Sequence, residues 1–298
     1  MNRDAAERWI RDHVEPVAPI ELTHERPWAT VLRVPTAAGS VWFKACGAVQ
    51  RFEARLTAEL SRRWPGRVAE VLAHDEERAW LLLADAGAPL GERNPPEVWL
   101  DVLPRYAELQ LGEAEYAHEH LAHGVPDRRA ETLPPRYDEL AHGALPLERG
   151  QIDRLRAFAP TFAVLCAELA GRGIPPSVQH DDLHYMNVYL RGAERRVLDW
   201  GDASIAHPFF SFGEISRFLE GVNGLPATDP WHARLRDAYL ESWGRDHDDT
   251  FELAFRVGAF AQAIAWVRQR EHLQRAELDE FDIGFRHVLA RALARIDG

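Results

Sequence analysis

The chain has 298 residues, 46% of them hydrophobic and 28% charged, with a formal net charge of −12. This is the make-up of a soluble globular protein long enough for two lobes with separate cores, and the acidic excess argues against non-specific nucleic-acid binding, which draws on clustered Lys and Arg. Neither the charged N-terminus, MNRDAAERWIRDHVEPV, nor any later window offers a signal peptide or a membrane span, and Cys46 and Cys166 lack metal-ligand or redox spacing, so the expectation is a protein of the reducing cytoplasm.

A first helix is expected over residues 4 to 14. Thr30 to Val34 and Ser40 to Lys44 are rich in β-branched and aromatic residues and are joined by Thr36-Ala37-Ala38-Gly39, which reads as a hairpin with Lys44 at the end of its second strand. Residues 51 to 63 place Phe52, Leu56 and Leu60 on one stripe among good helix formers, and Pro65-Gly66 ends that amphipathic helix. Two further strands follow, Val68 to His74 and Ala79 to Leu83, the second running straight into Asp85-Ala86-Gly87.

From about residue 96 the pattern turns helical, over Glu97 to Leu111, Gly150 to Arg172, Trp231 to Trp243, Thr250 to Leu273 and Leu278 to Ile296. Residues 112 to 135 and 221 to 230, rich in Pro, Gly or charge, read as linkers. Between the helices, Val178-Gln179, Asn187 to Leu190 and Arg196 to Asp199 read as strands, the last two forming a hairpin that returns Asp199 to the side of Asn187.

The most specific segment is His180-Asp181-Asp182-Leu183-His184-Tyr185-Met186-Asn187, followed by Asp199-Trp200-Gly201. Its spacing is that of a kinase catalytic loop with a metal-binding Asp on the next strand. Phosphoryl transfer needs a carboxylate that orients the attacking hydroxyl and two oxygen ligands that hold magnesium against the nucleotide phosphates. Asp182, Asn187 and Asp199 supply these groups in that order. His180 and His184 also form an H-x-x-x-H pair, but a zinc hydrolase motif of that kind lies on a helix with a glutamate base, whereas this segment precedes a strand. No P-loop or dinucleotide glycine motif is present.

HDDLHYMN followed by LDW resembles the signature H-G-D-L-H-x-x-N followed by I-D-W or I-D-F of the aminoglycoside phosphotransferase and choline kinase family. The resemblance implies an α+β, two-lobed, protein-kinase-like fold, with an N-terminal lobe of antiparallel sheet plus helix (residues 1–84) and a larger, mostly helical C-terminal lobe (85–298). It implies ATP or GTP with Mg2+ and a small-molecule hydroxyl acceptor, an aminoglycoside or related amino sugar or alcohol by family name. The acidic balance weakly suits a cationic acceptor.

By the same resemblance Asp182 is the catalytic base, Asn187 and Asp199 are the metal ligands, and His180 supports the loop. Lys44 pairs with Glu53, or alternatively Glu59, against the α and β phosphates. Leu83 and Ala84 meet the nucleobase through backbone groups, and His24 to Ala29 covers the nucleotide. Asp202, three residues after the metal-binding Asp, is a candidate contact for acceptor or metal, and the cluster Asp246-His247-Asp248-Asp249 reads first as a helix cap and solvated turn.

Two departures stand out. Asp181 occupies the position of the protein-kinase Arg that pairs with a phosphorylated activation loop, and Ser211 stands where the family has an Asp that braces the catalytic loop. The alternative function is a nucleotide-binding pseudokinase or sensor without turnover. Oligomeric state leaves no trace in the residues.

Overall fold

A computed structural model describes residues 1–244 and 247–297. The N-terminal helix α1 (Arg3–Arg11) is capped by Asn2, whose side-chain oxygen accepts from the Ala5 amide at 3.1 Å. A five-stranded antiparallel sheet follows, built from β1 (Glu21–Arg26), β2 (Ala29–Thr36), β3 (Gly39–Cys46), β4 (Val71–Asp75) and β5 (Trp80–Leu83) in the order β1-β2-β3-β5-β4. Helix α2 (Glu53–Arg63) lies between β3 and β4 in the chain.

The strand period of two divides this sheet chemically. Leu32, Val34, Phe43, Ala45, Trp80 and Leu82 turn to one face and pack with Ala6 and Ile10 of α1. Trp9 of α1 meets Phe43 and Trp80 edge-on at 5.8 and 5.7 Å. Val31, Trp42 and Lys44 turn to the other face, where a cavity opens toward the rest of the protein.

After β5 the chain passes through Asp85-Ala86-Gly87 into β6 (Ala88–Pro89), which pairs with a strand of the catalytic hairpin. Gly87 has φ +100°, and a Cβ there would fall 2.3 Å from the Leu190 carbonyl oxygen, so only glycine fits this crossing. The helical part comprises α3 (Pro96–Glu113), α4 (Ala117–Ala122), α5 (Leu133–His142) and α6 (Arg149–Ala170), then α7 (Phe212–Gly221), α8 (Pro230–Leu240), α9 (Asp248–Arg270) and α10 (Arg275–Ala294). Set among them are β7 (Asp127–Arg128), β8 (Ser177–Gln179), β9 (Val188–Arg191), β10 (Glu194–Val197) and β11 (Ser204–Ala206), forming two small sheets ordered β10-β9-β6 and β7-β11-β8. The whole is a two-lobed α+β fold.

The expected elements are present with boundaries moved by a few residues, and two expectations need correction. Residues 112–135 are not a linker: they hold α4, β7 and the start of α5. Here the burial of Ala117, His120, Val125 and Leu133 outweighs the turn-forming composition. Nor are the cores separate along the lobes, because Phe52, Leu56 and Leu60 of α2 join the large core of the helical part. Helix α7 and most of α5 carried no expectation at all.

The helical core is organised around aromatic contacts. Phe260 of α9 lies 5.2 Å from both Phe158 and Phe162 of α6 and 5.6 Å from Tyr137 of α5. Truncating so central a ring removes its burial and leaves a cavity, so Phe260→Ala should lower unfolding free energy by about 3–5 kcal/mol, read from urea transitions.

His207, on the turn after β11, is buried; its Nδ1 accepts from the Phe209 amide at 3.3 Å and its Nε2 finds no partner among the described residues. Burial, and then repulsion from His247, push its pKa down to about 3 from an ordinary 6.5. The folded state thus keeps the ring neutral while the unfolded chain takes up a proton below the ordinary value, so stability falls as pH drops from 6.5 toward 3, at up to about 1.4 kcal/mol per pH unit. Urea unfolding between pH 7 and 4 should be less pH-dependent in His207→Gln; an unchanged slope would count against this source of acid sensitivity.

Candidate active site

The cavity between the sheet and the helical part measures 410 Å³ and is lined by Lys44 and Glu53 from the N-terminal side, Leu83 and Ala84 from the crossing, and Asn187 and Asp199 from the catalytic hairpin. Five of these six come from segments that meet only because β3, β5, β9 and the turn after β10 converge here. His24, Trp28 and Ala29 line it as well, from the end of β1, the two-residue turn that follows it and the start of β2.

Lys44 stands at the centre of the charges. Its Nζ lies 2.6 Å from Glu53 Oε1 and 2.5 Å from Asp199 Oδ1. Burial would lower its pKa, but Asp199 and Glu53 together raise it well above the ordinary value, so the ammonium stays charged. Reciprocally, burial raises the pKa of Asp199 and Lys44 lowers it, with a net fall that keeps the carboxylate ionised. Of the two helix acids, Glu53 makes the contact; Glu59 pairs with Arg55 instead, at 2.9 Å. The Ala84 amide is already bonded to the Glu70 carbonyl at 2.9 Å.

The catalytic segment is held by its own backbone. Asp181 and Asp199 both adopt left-handed φ of 64°, a conformation that disfavours side-chain-bearing residues and marks an over-determined turn. Asp181 is fixed there by Arg128 of β7, by the Ser204 hydroxyl and by Gln179 Nε2 at 3.0 Å. Arg128 therefore occupies, with reversed polarity, the place of an arginine-centred control contact: the acid is on the loop and the arginine is built into the fold. Nothing local marks Arg128, because two residues of strand in a polar stretch carry no period.

His180 is buried and neutral; burial lowers its pKa. Its Nε2 donates to the Leu198 carbonyl at 2.8 Å and its Nδ1 accepts from the Asp182 amide at 3.3 Å, so one imidazole ties the loop to the hairpin strand. His184 Nδ1 accepts from the Met186 amide at 3.2 Å, and Nε2 lies 3.2 Å from Asp182 Oδ2. Asn187 Nδ2 donates to the Asp182 carbonyl oxygen at 2.9 Å and to its carboxylate at 3.2 Å. The Asn187 carbonyl accepts from the Leu198 amide at 2.9 Å, which sets Asp199 beside Asn187.

Where a bracing carboxylate would stand, Ser211 sits in a buried, uncharged network. Its hydroxyl meets Gln179 Oε1 and lies 2.9 Å from Tyr106 Oη, which in turn accepts from the His180 amide at 3.0 Å. Gln110 extends the network to the Val178 and Pro208 carbonyls at 3.1 and 3.3 Å, and Tyr239 donates to Gln110 Oε1 at 2.5 Å. The loop remains braced, by hydroxyls and amides.

A second cavity, of 220 Å³, opens beside Asp182 and Asp199 and is bounded by Asp202, Trp28, Gln262 and Trp266. Asp202 Oδ1 accepts from Gln50 Nε2 at 3.2 Å and from Gln269 Nε2 of α9. Burial, then the neighbouring Asp182 and Asp199, push its pKa up to about 8. Of the acidic cluster at the start of α9, Asp246 lies outside the described residues, while Asp248 and Asp249 are exposed in the first turn.

No family model and no curated protein matches the sequence. Solved structures do. Choline kinase from Cryptosporidium parvum Iowa II is 12% identical and superposes with a TM-score of 0.66 over 99% of this chain and 97% of that one. Macrolide 2'-phosphotransferase MphH from Brachybacterium faecium is 14% identical, with a TM-score of 0.61 over 97% of each chain. Amicoumacin kinase, solved with AMP-PNP, Ca2+ and Ami, is 11% identical, with a TM-score of 0.61 over 96% of this chain and 93% of that one. Over nearly its whole length, then, the chain has the two-lobed fold shared by choline kinases and antibiotic phosphotransferases.

Proposed function

We propose that the protein transfers the γ-phosphoryl group of ATP to a hydroxyl of a small molecule. The observation that carries this reading is the convergence of Lys44, Asn187 and Asp199 on one cavity with Asp182 at its edge, in a chain with the fold of small-molecule kinases. We place the division of labour at the crossing, with residues 1–84 serving the nucleotide and 85–298 catalysis and the acceptor. The base packs at the crossing from Leu83 onward, and Lys44, held by Glu53, neutralises the α and β phosphates.

Asn187 and Asp199 suit magnesium. Both offer hard oxygen donors, and Asn187 commits its nitrogen to Asp182, which leaves its oxygen without a protein partner among the described residues. Held by these two residues, Mg2+ would supply positive charge that offsets that of the phosphates. Asp182 accepts the proton of the acceptor hydroxyl and aims that oxygen at the γ-phosphorus. Its carboxylate is oriented by Asn187 Nδ2 and by His184 Nε2, so the attack geometry is set before the acceptor arrives. The loop that carries it needs no phosphorylation, since Arg128 already fixes Asp181.

The acceptor occupies the cavity bounded by Asp202, Gln262 and Trp266, whose polar and aromatic walls suit a polar alcohol. An amino sugar or amino alcohol is the first class to test, and a choline kinase and a streptomycin complex among the structural neighbours favour it.

Asp182→Ala should reduce transfer of labelled phosphate from ATP by about 10²- to 10⁴-fold across a panel of aminoglycosides, amino sugars, choline and amino-acid alcohols, with nucleotide affinity unchanged. Equal turnover in the variant would remove Asp182 from the role of base, and Mg-ATP binding without transfer to any acceptor would bring forward a pseudokinase. Asp199→Ala should raise the Kd for ATP in magnesium to its magnesium-free level, measured by calorimetry; retained magnesium dependence would exclude Asp199 as a ligand.

A further inference from the structure

The second turn of α2 meets α4 and the end of α3 in a cluster that phosphoryl transfer does not use. At its centre is His120, with a side chain 1% exposed, whose Nε2 lies 2.8 Å from Glu113 Oε2. Glu113 is fully buried and accepts two bonds of 2.6 Å from Arg63 and one of 2.6 Å from Trp64 Nε1. Burial raises the pKa of Glu113, but these donors and His120 bring it below the ordinary value, so it is an ionised carboxylate. A carboxylate in that position draws the imidazole proton to Nε2 and leaves the lone pair on Nδ1, as in the carboxylate–histidine–metal arrangement.

The freed Nδ1 points at Glu59 Oε2 from 3.4 Å, and His123 Nδ1 stands 3.5 Å from Glu59 Oε1. Both ring nitrogens and Glu59 Oε2 are buried without a hydrogen-bond partner. Arg55 binds the other carboxylate oxygen at 2.9 Å, and Arg63 comes no closer to Oε2 than 4.0 Å. Three inward-facing polar atoms left unsatisfied together are costly unless something sits between them. Ligand atoms of Glu59, Glu119 and His123 also lie within 4.8 Å of one another. Ligands on a tetrahedral ion with bonds of 2.0–2.1 Å are about 3.3 Å apart, near the 3.5 Å between His123 Nδ1 and the Glu59 carboxylate.

We propose that Glu59, Glu119 and His123 form a site for a borderline divalent transition-metal ion, Zn2+ before others, with the buried His120 beside it against Glu59 Oε2. Imidazole nitrogens with carboxylate oxygens suit zinc better than magnesium. The site is distinct from Asn187 and Asp199 and does not depend on the phosphotransferase reading. Its role is structural: Glu59 lies six residues after Glu53 on α2, so the ion would tie that helix to α4 and hold Glu53 toward Lys44.

Chelator-treated full-length protein should be titrated with Zn2+ in excess Mg2+, in competition with a chromogenic chelator, and its melting followed with and without Zn2+. One equivalent should bind, and Zn2+ should raise the melting temperature. His123→Gln, on a ring 21% exposed, should melt like wild type without metal, lose the Zn2+-induced rise and bind at least about 100-fold more weakly, since outer-shell changes alone cost 10- to 100-fold. Asp199→Ala should bind Zn2+ as wild type does. Co2+ in place of Zn2+ should give the visible absorption of a tetrahedral ion in wild type but not in His123→Gln. Absence of a bound equivalent, or binding lost with Asp199→Ala and kept by His123→Gln, would overturn the proposal, as would melting indifferent to Zn2+.

Discussion

The Lys44 ammonium is the constraint around which the site is arranged. It is almost wholly enclosed, and such a charge is tolerated only where acids offset its desolvation. One of those acids, Glu53, belongs to α2, and the other, Asp199, belongs to the hairpin of the helical lobe. A strand, a helix and a distant hairpin are thus drawn to one point at the wall of the cavity. Removing either acid would leave a buried charge half compensated, so the three residues act as a unit, and their effects should not add.

Around that point the protein divides its polar chemistry by charge. Ionic contacts converge on the cavity, at Lys44, Asp199 and the Arg128–Asp181 pair. Behind the loop, bracing is left to neutral groups, the Tyr106, Ser211, Gln179 and Gln110 network. Placing a neutral scaffold behind a charged site avoids an extra buried carboxylate close to Asp182, which would repel it and disturb its protonation.

The legible part of the molecule was the part with period or with fixed chemistry. The hairpin from Ala29 to Cys46 alternates, and the stripe Phe52, Leu56, Leu60 repeats at helical spacing, so the elements carrying Lys44 and Glu53 could be read directly. The placing of Asn187 and Asp199 at one cavity could be read because the hairpin between them is marked by a turn and two short apolar strands. Choosing Glu53 over Glu59 could not be done from periodicity, since both flank the same stripe and only the crossing with β3 decides. The elements between residues 112 and 142 escaped because they are short, charged on their outer faces and helical only by virtue of a few buried contacts. Arg128, Gln50 and Gln269 reach the site from more than 50 residues away in sequence or from the opposite lobe, and nothing in their local sequence marks them.

The sharing of α2 between lobes has a mechanical consequence. Its apolar stripe belongs to the large helical core, whereas the sheet it serves packs on the other side against α1. Covalent order assigns α2 to the sheet; packing assigns its apolar stripe to the helical part. If the cleft opens to admit nucleotide, the five-stranded sheet and α1 are the natural moving plate, rocking over a helix that stays with the base of the molecule. The surface between them would include the contact of α2 with β4, where the Ser61 hydroxyl accepts from the Val71 amide at 3.0 Å, and the Lys44–Glu53 pair, coupling the completeness of the charge triad to the position of the sheet.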